Sequence, residues 1–200
     1  MMRTVFQLFV CFACIGFVAC GPKVYTKGDY DDPERVELLD DKFNEADMQQ
    51  MADTIVDAIV SCPDVKVAKV LPTIALAKVA NRTEEHIDTD SLTDMIRTNL
   101  IKSRKVKFVD RKSRGEIDEE YAYGESGKVS RETQKKGGKQ IGVDYLLNGA
   151  LATNIQEVAN DKLIYYKLTM NLTNTTSSVI DCSEEKQIRK KYRKRSTGLF

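Results

Sequence analysis

The sequence predicts an α/β (α+β) domain, a mixed four- to five-stranded sheet flanked by helices, behind an export signal and a short tether. Three observations predict it. Over residues 44–140, stretches with apolar residues at helical spacing alternate with short apolar, β-branched runs, the order that builds parallel strand pairs. Three strand-like segments then follow in succession, at 143–158, 162–171 and 179–189, the order of an antiparallel meander. Finally, a 200-residue chain that is 42% apolar can fill the core of one domain and still carry extensions.

The chain opens with Met1-Met2-Arg3 and an apolar run over 5–19, broken by Gln7. That is a positive n-region followed by an h-region, shorter than the ~20 residues a bilayer span needs. Residues 1–19 therefore read as a cleaved signal peptide. The run ends in Phe17-Val18-Ala19-Cys20, which resembles the lipobox of bacterial lipoproteins, with Phe17 where such motifs favour Leu. The resemblance implies a diacylglycerol thioether on Cys20, cleavage before it and acylation of the new N-terminus. Two or three acyl chains hold a membrane stably where one does not. Gly21 after the cysteine, instead of Asp, implies the outer membrane, facing the periplasm, by the sorting rule of enteric bacteria. The alternative is an ordinary signal peptide or short anchor in which Cys20 is incidental. Cys11 and Cys14 leave with the signal in either case of cleavage.

Residues 20–43 read as a short acidic tether. They hold Gly21-Pro22, Gly28, Asp31-Asp32-Pro33 and an acid cluster up to Asp41, with little apolar periodicity. As a flexible coil this span covers roughly 25 Å r.m.s..

The globular region is expected over 44–190. Asn44 is a good N-cap, with Asp47 as its capping-box partner, and Met48, Met51, Ala52, Ile55 and Ile59 form a helical stripe. That stripe reads as core, not as a methionine metal site. Cys62-Pro63-Asp64 ends the helix. Residues 65–70 read as a short edge strand, 73–79 as a buried strand and 81–84 as a loop. Residues 88–91 offer caps for a second helix with Leu92, Met95, Ile96 and Leu100 on its apolar face. The alternating 105–110 reads as a strand. The polar 111–130 holds a short helix near 117–121. A further helix is expected over 131–140, weakened by Gly137-Gly138 at ~1 kcal/mol per glycine. A hairpin follows, turning at Ala159-Asn160-Asp161. Its second arm alternates cleanly, with Ile164, Tyr166, Leu168, Met170 and Leu172 on one face and Leu163, Tyr165, Lys167, Thr169 and Asn171 on the other. A turn over 173–178 leads to the last strand, and 191–200 reads as a basic tail.

The net charge of +1 offers no global field for nucleic acid. The charge is local. A basic run from Lys186 to Arg195 reads as a solvated tail, as a contact with an anionic surface, or as part of an interface. Catalysis needs a nucleophile, a base and an orienting group, and none is evident. His86, the only histidine, sits among charges and reads as a solvated surface residue. Gly137–Gly142, "GGKQIG", lacks the order of a phosphate-binding loop. No cofactor, metal site or small-molecule substrate is expected. Cys62 and Cys182 are either a disulfide, which an oxidising compartment allows, or two small buried hydrophobes.

Two phrases carry a family resemblance: "TIALAKVANRTEEHIDTDSLTDMIRTNLIKSRKVKFVDR" at 73–111 and "GGKQIGVDYLLNGAL" at 137–151, with the terminal hairpin behind them. Over 44–189 the chain resembles the LpoB family, outer-membrane lipoprotein activators of penicillin-binding proteins. The resemblance implies a fold similar to the N-terminal domain of TolB. It implies a partner, a bifunctional penicillin-binding protein, whose glycan polymerisation and peptide cross-linking the lipoprotein stimulates by docking and shifting its conformational population. It implies no enzyme. The long Pro-rich tether of enteric members is absent; here the reach is ~75 Å even fully extended. From the residues themselves, Tyr165, Lys167 and Thr169 are the candidate partner-binding side chains, since aromatic and long basic groups suit interfaces. The other reading is that a helix covers this face. The rival function is a structural or secretion-apparatus envelope lipoprotein, similar to the curli-secretion channel subunits.

Overall fold

The computed structural model describes residues 28–194. The signal segment, Cys20 and residues 195–200 lie outside them. Glu34–Phe200 form one compact unit, with its core inside itself, as an independently folding unit requires.

Helix α1 (Glu45–Ser61) begins where the capping box predicts. The Asn44 side chain accepts from the Asp47 N–H at 3.0 Å, and the Asp47 carboxylate accepts from the Asn44 N–H at 3.0 Å. Its stripe of Met51, Ala52, Ile55 and Ile59 is fully buried. Pro63 then opens a single helical turn, α2 (Pro63–Lys66), where its fixed φ is favourable. This corrects the edge strand expected over 65–70: Val67 and Val70 stand exposed in a connector. Strand β1 (Thr73–Arg82) runs three residues further than expected, because Arg82 still pairs with β3. Helix α3 (Thr89–Ser103) is capped by Asp88, whose carboxylate accepts from the N–H groups of Asp90 and Ser91.

Strand β2 is reduced to Lys107–Phe108. It pairs only with β1, at one edge of the sheet. Helix α4 (Arg114–Tyr123) passes into a π-turn at Gly124–Lys128. The helix expected over 131–140 does not form. One turn starts, with Thr133 and Gln134 N–H groups donating to the Ser130 carbonyl, and goes no further. No apolar residue between 131 and 136 gives it a face to bury, and Gly138 takes a φ of 86° that ends helical geometry.

Strands β3 (Tyr145–Val158), β4 (Asp161–Asn174) and β5 (Ile180–Arg193) are 14 residues each. The turn between β3 and β4 is Ala159-Asn160, because Asp161 already pairs with Val158. The sheet order is β2-β1-β3-β4-β5, parallel across β2, β1 and β3 and antiparallel from β3 to β5. This is the expected mixed sheet of an α+β domain. Helices α1 and α3 pack together on one face of it. The core lies between, built on Ile74, Leu147, Leu151, Ile164, Leu168, Met170 and Leu172 from the strands and Ile55, Leu92, Ile96 and Leu100 from the helices. Gly149 faces Met170 across β3 and β4. A Cβ there would collide with the Thr169 carbonyl and lie 3.1 Å from the Met170 Cα, so only glycine lets these backbones meet.

Candidate interaction surface

The alternation in β4 decides which side chains are available. Ile164, Tyr166, Leu168, Met170 and Leu172 are buried under the helices, and Tyr165, Lys167 and Thr169 between them are half-exposed on the opposite face. Both long helices lie on the inner face, and α4 packs chiefly on its own π-turn. Among the described residues the outer face of β4 is therefore a surface.

The register places each predicted residue in a row across three strands. Tyr165 sits between Asn154 of β3 and Arg189 of β5, Lys167 between Ala152 and Gln187, and Thr169 between Ala150 and Glu185. The two alanines leave Lys167 and Thr169 open on the β3 side. Lys167 lies 3.8 Å from Glu185, an exposed pair that holds the ammonium loosely. Around Tyr165, with Leu163 and Gln156, the side chains enclose a shallow hollow of about 450 Å³ that Asn154, Gln187 and Arg189 complete. One aromatic ring, one apolar side chain, three amides and a guanidinium line it, side chains of the kind that suit protein contacts. They do not make a nucleophile–base pair. Alternation along β4 alone puts Tyr165, Lys167 and Thr169 on this face; Arg189, Gln187 and Asn154, which flank them, are not marked by it. The signal for these was register: once β4 pairs with both neighbours, their outward residues are fixed.

At the strand end, Asp161 accepts from Arg193 at 2.7 Å and from Lys191 at 2.9 Å. These hydrogen bonds, Arg193 first, hold its carboxyl down at about 2. Lys191 and Arg193, expected in a basic tail, are thus part of β5.

The inner side explains why β5 stays in place. Lys190, 4% exposed, faces inward and pairs with Asp47, 2% exposed, at the start of α1. Its ammonium also donates to the Lys42 carbonyl at 2.8 Å and lies 5.6 Å from the Tyr166 ring centroid. The basic run read from the sequence as a solvated or surface-binding stretch therefore hides a core lysine. Nearby, the Tyr166 hydroxyl donates to Glu85, and Glu85 also accepts from the Phe43 N–H at 3.0 Å. Burial first, then the Glu85 carboxylate, pushes the Tyr166 hydroxyl well above its ordinary range. At the other end of α1, Cys62 and Cys182 are joined by a disulfide, their Cα atoms 6.2 Å apart. The Asp64 carboxylate lies within 4.8 Å of both sulfurs, but those sulfurs are bonded to each other, so the trio is a cross-link and not a metal-ligand set. Helix α1 thus runs antiparallel to β5, fastened at both ends.

The sequence pattern of the family described as "Peptidoglycan-synthase activator LpoB" matches residues 47–188, from the first turn of α1 to Ile188 in β5. The chain belongs to the LpoB family. No curated protein sequence matches it. Among solved structures, the LpoB C-terminal domain from Salmonella enterica is 15% identical, covers 71% of this chain and 98% of that one, and superposes with a TM-score of 0.47. The LpoB C-terminal domain from Escherichia coli is 14% identical with the same coverage and a TM-score of 0.45. The longer E. coli LpoB structure is 17% identical, over 88% of this chain and 85% of that one, with a TM-score of 0.38. The LpoB family is one of activators of peptidoglycan synthases. Among the described residues, no helix is long and apolar enough to cross a membrane.

Proposed function

We propose that this chain is a non-catalytic lipoprotein, anchored in the outer membrane through Cys20 and facing the periplasm. It docks on a bifunctional penicillin-binding protein and stimulates peptidoglycan polymerisation and cross-linking. Membership of an activator family is the observation that carries this reading. The half-exposed strip of Tyr165, Lys167 and Thr169, continued by Arg189 and Gln187, supports it as a docking surface. Activation by docking needs a rigid surface that favours one conformation of the partner. The inner clamps of β5 supply that rigidity.

The test is a lipid II polymerisation assay with the purified unit Glu34–Phe200 and the cognate bifunctional synthase. The expected result is faster polymerisation, reduced about tenfold in apparent affinity by Tyr165→Ala with Lys167→Ala, as for loss of an interface anchor. No stimulation of a synthase confirmed active sinks the proposal. Cys20→Ala in the full chain should release it from membranes; continued attachment contradicts the lipid anchor. Detergent-stable rings of the lipidated chain would favour the secretion-channel alternative instead.

A further inference from the structure

A second cavity, on the helical side of the sheet, is built differently from the outer face. It is a cleft of about 900 Å³ where the chain entering α1 meets the loop between β1 and α3 and the end of β3. Its apolar lining is Phe43, Met48 and Met95, all half-buried, the buried Ile87, and Ile155 at 40% exposure. These side chains complete the edge of the core and leave part of their surface to solvent.

Around them stand five carboxylates, Asp41, Glu45, Glu84, Glu85 and Asp88, against three basic side chains, Lys42, Lys162 and the imidazole of His86. Lys162 is bound to Asp41 at 2.7 Å, so that pair cancels. Asp88 caps α3, and Glu85 serves the Phe43 N–H and the Tyr166 hydroxyl. Glu45 and Glu84 are exposed on the rim. An acidic rim above a low-dielectric apolar floor concentrates a negative potential in the cleft. Methionine suits such a floor, since its flexible thioether moulds to irregular apolar surfaces.

We propose that this cleft docks a cationic, amphipathic segment of a partner protein, its apolar residues on Met48 and Met95 and its Lys or Arg side chains on the rim. The contact is separate from the outer face of β4 and does not depend on the role assigned to that face.

The four methionines of Glu34–Phe200 are Met48, Met51, Met95 and Met170. Two line the cleft, and Met51 and Met170 are fully buried elsewhere. Methyl-labelled methionine in this unit therefore gives two reporters and two internal controls. The probe is a synthetic helical peptide with leucines at i, i+3, i+4 spacing and lysines at the remaining positions. Addition should shift the Met48 and Met95 methyl resonances and leave Met51 and Met170 in place. Glu84→Lys combined with Glu45→Gln should weaken binding about tenfold, as reversal of complementary charge does. The unchanged Met51 and Met170 signals of the variant show that it is folded. The proposal is overturned if the reporters do not move, or if the same peptide with Glu in place of Lys binds equally well. It is also overturned if deletion of residues 195–200, with no peptide present, moves the two cleft signals, which makes this chain's own end the occupant.

Discussion

The two faces of the meander β3–β4–β5 are made from the same strands and have opposite tasks. On the inner face of β4, Tyr166 and Leu168 are fully buried, and on β5 even a lysine is driven inside. On the outer face, one residue away in sequence, Tyr165, Lys167 and Thr169 stay half-exposed. The difference teaches that here the inner face carries the stability and the outer face is free to carry recognition. The two-residue period of a strand separates these roles without separating the residues.

The strongest way to break that comparison is at the buried ion pair. Lys190→Met leaves the Asp47 charge uncompensated and should cost about 3–5 kcal/mol, read by urea denaturation of Glu34–Phe200. A loss under 1 kcal/mol means Asp47 finds another partner and the inner face is less demanding than its burial implies. The disulfide follows. It closes a separation of 120 residues, so Cys62→Ser with Cys182→Ser should cost about 2–4 kcal/mol, and reductant should lower the melting temperature of the parent but not of the double variant. The outer face should behave oppositely: Tyr165→Ala and Lys167→Ala should stay within about 0.5 kcal/mol in the same measurement while weakening the synthase contact proposed for that face. A large stability loss there would merge the two faces into one structural element.

The smallest effect sharpens the outer edge of the comparison. Asp161 has its carboxyl held at about 2 by Arg193 and Lys191. A depressed pKa in the folded state gives stabilisation that is present above the unfolded value of about 3.9 and fades as pH falls towards 2. The protection of the Lys194 amide, whose N–H donates to the Asn160 carbonyl at 2.8 Å, taken relative to its intrinsic exchange rate at each pH, should therefore fall between pH 4 and 2, and Asp161→Asn should remove that fall. An unchanged profile in the parent would show that the backbone pairing alone holds this end.

Much of the fold is legible in the sequence because its signals are local. The capping box at Asn44 and Asp47 needs four residues, the α1 stripe needs a few turns, and the alternation along β4 needs only period two. Within the polar 111–144 the helix expected near 117–121 forms, whereas the one expected over 131–140 does not: that stretch has acceptable helix formers but no apolar face, so local propensity lost. Of the candidate site, Tyr165, Lys167 and Thr169 were readable from alternation, whereas Arg189, Gln187 and Asn154 required the register of three strands.

Local pattern in the chain is enough for α1, α3, the three strands of the meander, the inward and outward sides of β4, and the lipobox-like motif ending at Cys20. Only the tertiary structure decided that Lys190, within a run of basic residues, belongs to the core. Asp47, its partner, lies far earlier in the chain, and a buried charge is tolerable only where folding brings its counter-charge to meet it. The same holds for Cys62 with Cys182 and for the acid-rimmed cleft, whose walls come from three separate parts of the chain. Periodicity reports which side of an element is apolar; it does not carry the long-range pairing that sets which charges and sulfurs end up side by side.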